Sequence, residues 1–141
     1  GSSLWSYHSG VRIPPPQPHL SDKIHKPMLT PDQIQLAFPI LLSIQFLHSI
    51  EELCTGFHRK WYLCRMPFWV FLFFEVLFLS FWTYIWLSPD LAYRIQLMLI
   101  FNCLMLANSI QHLVWACVQK KYVPGLVTVP LFIAIFIWAY F

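Results

Sequence analysis

Charge is scarce in this sequence. Asp, Glu, Lys and Arg make up 11% of its 141 residues, against roughly a quarter in a soluble domain. The net charge of +3 is too small for the dense basic face that nucleic-acid binding needs. No phosphate loop, dinucleotide fingerprint or nucleophile motif is present. Cys54, Cys64, Cys103 and Cys117 form no C-x-x-C pair, so no cysteine redox or zinc signature appears. No stretch alternates apolar and polar residues with period two, which argues against a membrane β-barrel. What is abundant is apolar surface, 58% hydrophobic and 18% aromatic, more than a soluble chain of this size can hide. A soluble enzyme, a nucleic-acid module and a disordered chain are thereby excluded, and the natural solvent is lipid.

The apolar residues fall into four blocks, about Gln33 to Cys54, Met66 to Leu87, Ile95 to Gln119 and Gly125 to Phe141. A helix needs about 20 apolar residues to cross the hydrocarbon core. The first three blocks meet that length, and the fourth is somewhat short. The expected fold is all-α, an integral membrane bundle of four antiparallel transmembrane helices, because short connections force neighbours to run up and down. Pro39 and Pro130 are expected inside the first and fourth helices. Arg59, Lys60 and Arg65 in the first loop and Lys120 and Lys121 in the third put those loops in the cytoplasm, although Lys23 and Lys26 argue the other way. A bacterial inner membrane suits such a bundle. Trp61, Trp69, Trp82, Trp86, Trp115 and Trp138 lie mostly near block ends and read as an interfacial belt. Cys103 and Cys117 read as buried small hydrophobes.

Residues 1–30 read as a Pro-rich disordered tail around Pro14-Pro15-Pro16, ahead of a membrane domain over 31–141. Gly1-Ser2-Ser3 looks like an appended leader, and Met28 stands where a native start is expected. The alternative is a native flexible extension.

The few polar residues inside the blocks carry the information, since an ionisable group at a membrane centre costs about 2.5–3.5 kcal/mol. On the first helix Glu52 lies about 40° from His48 and Glu51 about 60° the other way, so all three share a face, with Gln45 one turn deeper. On the third, Asn108 and His112 share a face. His48 stands about 7 residues before the first loop, Glu75 about 9 after it and His112 about 8 before the third loop. In an antiparallel bundle they reach one layer. A His with Glu at i+3 or i+4 is a spacing that bundles use to hold metals, and mixed His and carboxylate sets suit zinc or non-haem iron. The competing reading is a structural network that pins the bundle. His8, His19, His25 and His58 lie outside the lipid and read as bystanders.

Three motifs emerge in order: H-x-x-E-E at His48 to Glu52, N-x-x-x-H at Asn108 to His112 and Y-x-P-G at Tyr122 to Gly125. With Phe38-Pro39, Gly56-Phe57 and Trp61, the chain from about Pro31 onward resembles the HXXEE domain family of small multi-span membrane proteins. That family is poorly characterised, and its polar motifs have suggested an enzyme without an established reaction. The resemblance implies His48, Glu51, Glu52, Asn108, His112 and Tyr122 as site residues, with Pro124 and Gly125 shaping the adjoining turn. Glu75 belongs to none of the motifs.

The resulting expectation is a metal-dependent membrane enzyme, a hydrolase or an oxidoreductase, acting on a lipid-like or isoprenoid-like substrate. His48, Glu52 and His112 are the expected ligands of a divalent zinc or iron ion. Glu51 is a further ligand or a general base, Asn108 orients a ligand, and Tyr122 donates to substrate or carboxylate. The alternative is a non-catalytic protein, a small transporter subunit, ion relay or scaffold, which would need to self-associate to transport. Expected partners are membrane lipid, a lipophilic substrate and a second copy in a homo-oligomer, with no nucleic acid.

Overall fold

Thr30 opens the first helix. Its hydroxyl accepts from the Gln33 amide at 3.3 Å while the Gln33 side chain accepts from the Thr30 N–H at 3.0 Å, a reciprocal cap that satisfies two end donors. The computed structural model describes residues 30–141, so the expectation for the N-terminal tail lies outside the described residues. Helix α1 spans Pro31–Thr55 and ends at Gly56, whose φ of +77° lets its N–H close on the Glu52 carbonyl at 3.0 Å. Pro39 lies inside α1, and the Ser43 hydroxyl donates to its carbonyl at 2.8 Å.

A four-residue helix, α2 at Phe57–Lys60, occupies what reads as loop in the sequence. Helix α3 spans Phe68–Leu87, α4 Arg94–Gln119 and α5 Val129–Tyr140. Among the described residues there is no strand. Helices α1, α3 and α4 are long and apolar enough to cross a membrane. Helix α5 has 12 residues and rises about 18 Å, short of the roughly 30 Å hydrocarbon core. The expected fourth block loses its first turn because Gly125 takes a φ of +86° and the chain turns through Thr128. Pro130 therefore sits in the first turn of α5 rather than inside it, where its missing N–H removes no helical bond.

Two apolar clusters bracket a polar layer. In the larger one Ile34, Phe38 and Leu41 of α1 pack against Trp82 and Ile85 of α3, Met98 and Phe101 of α4 and Tyr140 of α5. Arg94, at the start of α4, donates to the carbonyls of Ile85 and Trp86 at the end of α3, and to Gln35 of α1 at 3.3 Å. A cation there also opposes the negative end of the α3 dipole. The smaller cluster joins Phe57, Phe71, Trp115 and Val123. Between the two, α1 carries Gln45, His48, Ser49 and Glu52, all buried.

Two expectations about side chains are corrected. Trp82 and Trp115 are buried in these clusters, where their large apolar rings fill the space between helices. Cys103 and Cys117 are exposed, because their positions on α4 face outward. An apolar solvent removes the need to bury them.

Candidate metal centre

His48, Glu52 and His112 converge although α1 and α4 bring them from far apart in the chain. One carboxylate oxygen, Glu52 Oε1, lies 3.4 Å from His48 Nε2 and 3.3 Å from His112 Nε2. The two rings stand edge to face with centroids 4.9 Å apart. All three side chains are buried, and one donor atom from each lies within 4.8 Å of the others. The i, i+4 spacing places Glu52 over His48; only the docking of α4 adds His112.

Hydrogen bonding determines what His48 presents to this centre. Its Nδ1 lies 2.6 Å from Thr128 Oγ1. The single hydroxyl proton of Thr128 has three acceptors in reach, that Nδ1 itself, Glu51 Oε2 at 3.0 Å and the Gly125 carbonyl at 3.1 Å. When it goes to Glu51 or Gly125, the threonine oxygen accepts from Nδ1–H and the neutral ring carries its lone pair on Nε2; when it goes to Nδ1, Nε2–H donates toward Glu52. Asn108 Nδ2 lies 3.1 Å from Nε2 and donates to that single lone pair only where no ion takes it. In the first tautomer His48 Nε2 and Glu52 Oε1 are two acceptors face to face. Such a pair is favourable only with positive charge between them, either a cation or a proton. Beside them, neither ring nitrogen of buried His112 has a hydrogen-bond partner, a costly condition unless something else fills the space.

Gly125 closes the third side. A Cβ on it would lie 2.6 Å from His48 Cε1 and 2.6 Å from His112 Cε1. The backbone of the turn rests directly on both imidazoles, and only glycine permits the approach. The turn is itself tied to α1 through Glu51. That carboxylate accepts from Tyr122 OH at 2.7 Å, Val127 N–H at 3.0 Å and Thr128 N–H at 3.1 Å. Partial burial and the bond to Glu51 push the Tyr122 phenol up to about 12.

A family model described as a protein of unknown function with HXXEE motif matches residues 39–139. The chain belongs to the HXXEE family. Comparison with curated proteins and with solved structures returned no match. The matched stretch contains all three motifs read from the sequence, and the structure separates their roles. Of the HXXEE residues themselves, His48 and Glu52 enter the centre while Glu51 turns to the α5 side and binds the Tyr122–Thr128 turn. Glu51, read as a further ligand or a base, does not join the group of three. Asn108 touches His48, and Tyr122 donates to a carboxylate. Glu75 shares the layer, accepting from the Ser49 hydroxyl, but stands apart from the histidines. His58 is buried and accepts from Arg59 Nε at 3.0 Å, away from the centre.

Thr128 is the residue that sequence reasoning missed. It belongs to no motif, and its bond to His48 spans 80 positions. Its place one turn after Y-x-P-G, at the start of an apolar helix, is the signal that was there to read.

The donor set fits a metal ion. Two imidazoles and one carboxylate match the His and Glu ligation of catalytic zinc and the facial set of non-haem iron. Tetrahedral ligands at about 2.0–2.1 Å from zinc lie roughly 3.3 Å from one another, and the two contacts to Glu52 measure 3.4 and 3.3 Å.

Proposed function

We propose that this HXXEE protein is an integral membrane enzyme of a bacterial inner membrane, in which His48, Glu52 and His112 hold a divalent zinc or iron ion and act on a lipid-like substrate. The observation that carries the reading is the buried convergence of His48, Glu52 and His112, with neither ring nitrogen of His112 hydrogen-bonded among the described residues. Four antiparallel membrane helices are the architecture proposed. In support, the start of α1 packs with the end of α3, the start of α4 and the end of α5. The centre lies toward the end that carries Arg59, Lys60, Lys120 and Lys121, which positive-inside reasoning assigns to the cytoplasm.

A bound zinc or iron ion supplies Lewis acidity and activates water or a carbonyl group. The chain's own residues prepare the site. Thr128 holds the His48 proton on Nδ1, so that Nε2 faces the centre. Glu51 anchors Thr128, and Tyr122 anchors Glu51. Asn108 stands 3.1 Å from the same nitrogen, placed to orient a group held at the ion. Apolar helices exclude bulk water, which strengthens each of these contacts.

The test is metal content. The protein is purified in detergent without chelator after growth with zinc, iron or manganese, alongside His48→Ala and His112→Ala. Stoichiometric metal in the parent and its loss in both variants is the expected result. A metal-free parent under every supplement refutes the metal centre. The second reading, a non-catalytic proton or ion relay, would then stand, because a proton can also join His48 to Glu52.

A further inference from the structure

A cavity of about 530 Å³ lies among α1, α3 and α4, within the roughly 300–1,000 Å³ of small-molecule sites. Its walls are apolar. Val70 and Phe74 of α3 and Leu104 of α4 line it and are themselves exposed on the outer surface, so its mouth faces the lipid between α3 and α4. Its polar lining consists of Gln45, Glu52, Glu75, Asn108 and the indole of Trp61, whose N–H is buried with no partner, and among the described residues no lysine or arginine lines it.

The hydrogen bonds around the polar group have a direction. Ser49 has one hydroxyl proton and gives it to Glu75. Its oxygen therefore accepts from the Gln45 amide nitrogen, at 3.2 Å. That fixes which way the Gln45 amide points and leaves Gln45 Oε1 buried with no partner, on a side chain that is 4% exposed. The Asn108 amide nitrogen is engaged by His48. What remains for an occupant is three acceptor groups, Gln45 Oε1 and the carboxylates of Glu52 and Glu75, and one donor, the Trp61 indole N–H. Neither histidine lines the cavity, so a cation at the centre meets it through Glu52, which offsets part of its charge.

We propose that this cavity binds a single-chain amphiphile whose head donates hydrogen bonds, a long-chain alcohol or primary amine, admitted sideways between α3 and α4. The proposal names the substrate class of the enzyme and rests on that reading, while its test needs no turnover. A donor head satisfies Gln45 Oε1 and the carboxylates, and the apolar walls take the chain. A carboxylate or phosphate head meets two carboxylates and an amide oxygen, with a single indole N–H and no basic side chain among the described residues to pair it.

The full chain in lipid nanodiscs is exposed at pH 8 to four diazirine-bearing probes of one chain length: an alcohol, an amine, a carboxylic acid and a phosphate monoester. Crosslinked peptides are mapped by mass spectrometry, with dodecanol as competitor. The alcohol and amine are expected to label the α3 and α4 lining at least about tenfold more than the acid and phosphate, the factor set by one hydrogen bond to a charged group. Gln45→Leu is expected to lower that labelling about tenfold. Leu104→Trp, which narrows the mouth without touching the polar group, is expected to abolish it. Equal labelling by the acid or phosphate, or full labelling in Leu104→Trp, overturns the proposal. Metal content is measured on the same preparations. Normal metal with no cavity labelling by any probe defeats this inference and leaves the metal centre intact. Selective labelling of a metal-free protein supports the cavity and defeats the centre.

Discussion

Replacing Gly125 with alanine separates backbone strain from contact with the histidines, because Gly56 is its control. Both glycines have positive φ, +86° at Gly125 and +77° at Gly56. An alanine in that region costs about 1–2 kcal/mol at either position. At Gly56 the added Cβ meets nothing within 4 Å, whereas at Gly125 it lies 2.6 Å from Cε1 of both His48 and His112. Carbon atoms sit comfortably at about 3.5–4.0 Å, so the rings must retreat by roughly 0.9 Å or the turn must lift. Such overpacking adds about 1–3 kcal/mol. Metal sites tolerate only about 0.2 Å in ligand distance, so a shift of that size dismantles the centre. The assay compares thermal midpoints and metal-to-protein ratios of Gly125→Ala, Gly56→Ala and the parent in one detergent. Gly125→Ala is expected to melt below Gly56→Ala and to lose its metal, while Gly56→Ala keeps it. Equal melting of the two variants with metal retained would refute the claim that the turn rests on the histidine pair.

Two further predictions concern the ties around the centre. Thr128→Val removes the acceptor that holds the His48 proton on Nδ1; chelator competition is expected to show metal affinity about 10–100-fold weaker, with Thr128→Ser near the parent value. The Tyr122 phenol, ordinarily near 10, is raised to about 12. Because its folded value is the higher one, the stabilisation from the protonated, Glu51-bound form is complete below about pH 10. It disappears as pH rises through about 12. The phenolate absorbance of the parent minus that of Tyr122→Phe is expected to rise near pH 12, and a rise near the ordinary value would contradict the bond to Glu51.

Much of the candidate centre was legible because helical spacing is arithmetic. His48 and Glu52 are one turn apart, and counting residues from the loops puts His112 at the same depth. The same counting brought Glu75 into the layer, and it does line the cavity beside Glu52. It could not separate Glu51 from Glu52. Both flank the His48 direction at similar angles, and the choice belongs to what docks against each side. The α5 turn takes Glu51, and His112 of α4 takes Glu52. The fourth block reads as short, but the start of α5 at Val129 is not legible for a related reason, since an apolar run does not reveal that its first residues are spent on a turn pressed against two imidazoles.

By itself, the sequence determined an all-α chain with helices long and apolar enough to cross a membrane. Runs of apolar residues with almost no charge leave the backbone no partner in lipid except itself. It also determined which polar residues stand on one face of one helix. The tertiary structure alone decided the rest: that His112 completes the pair with Glu52, that Thr128 bonds His48 Nδ1 across 80 positions, and that Gly125 presses on both rings. Those contacts join helices distant in the chain, and the direction of each hydrogen bond depends on the neighbour that receives it.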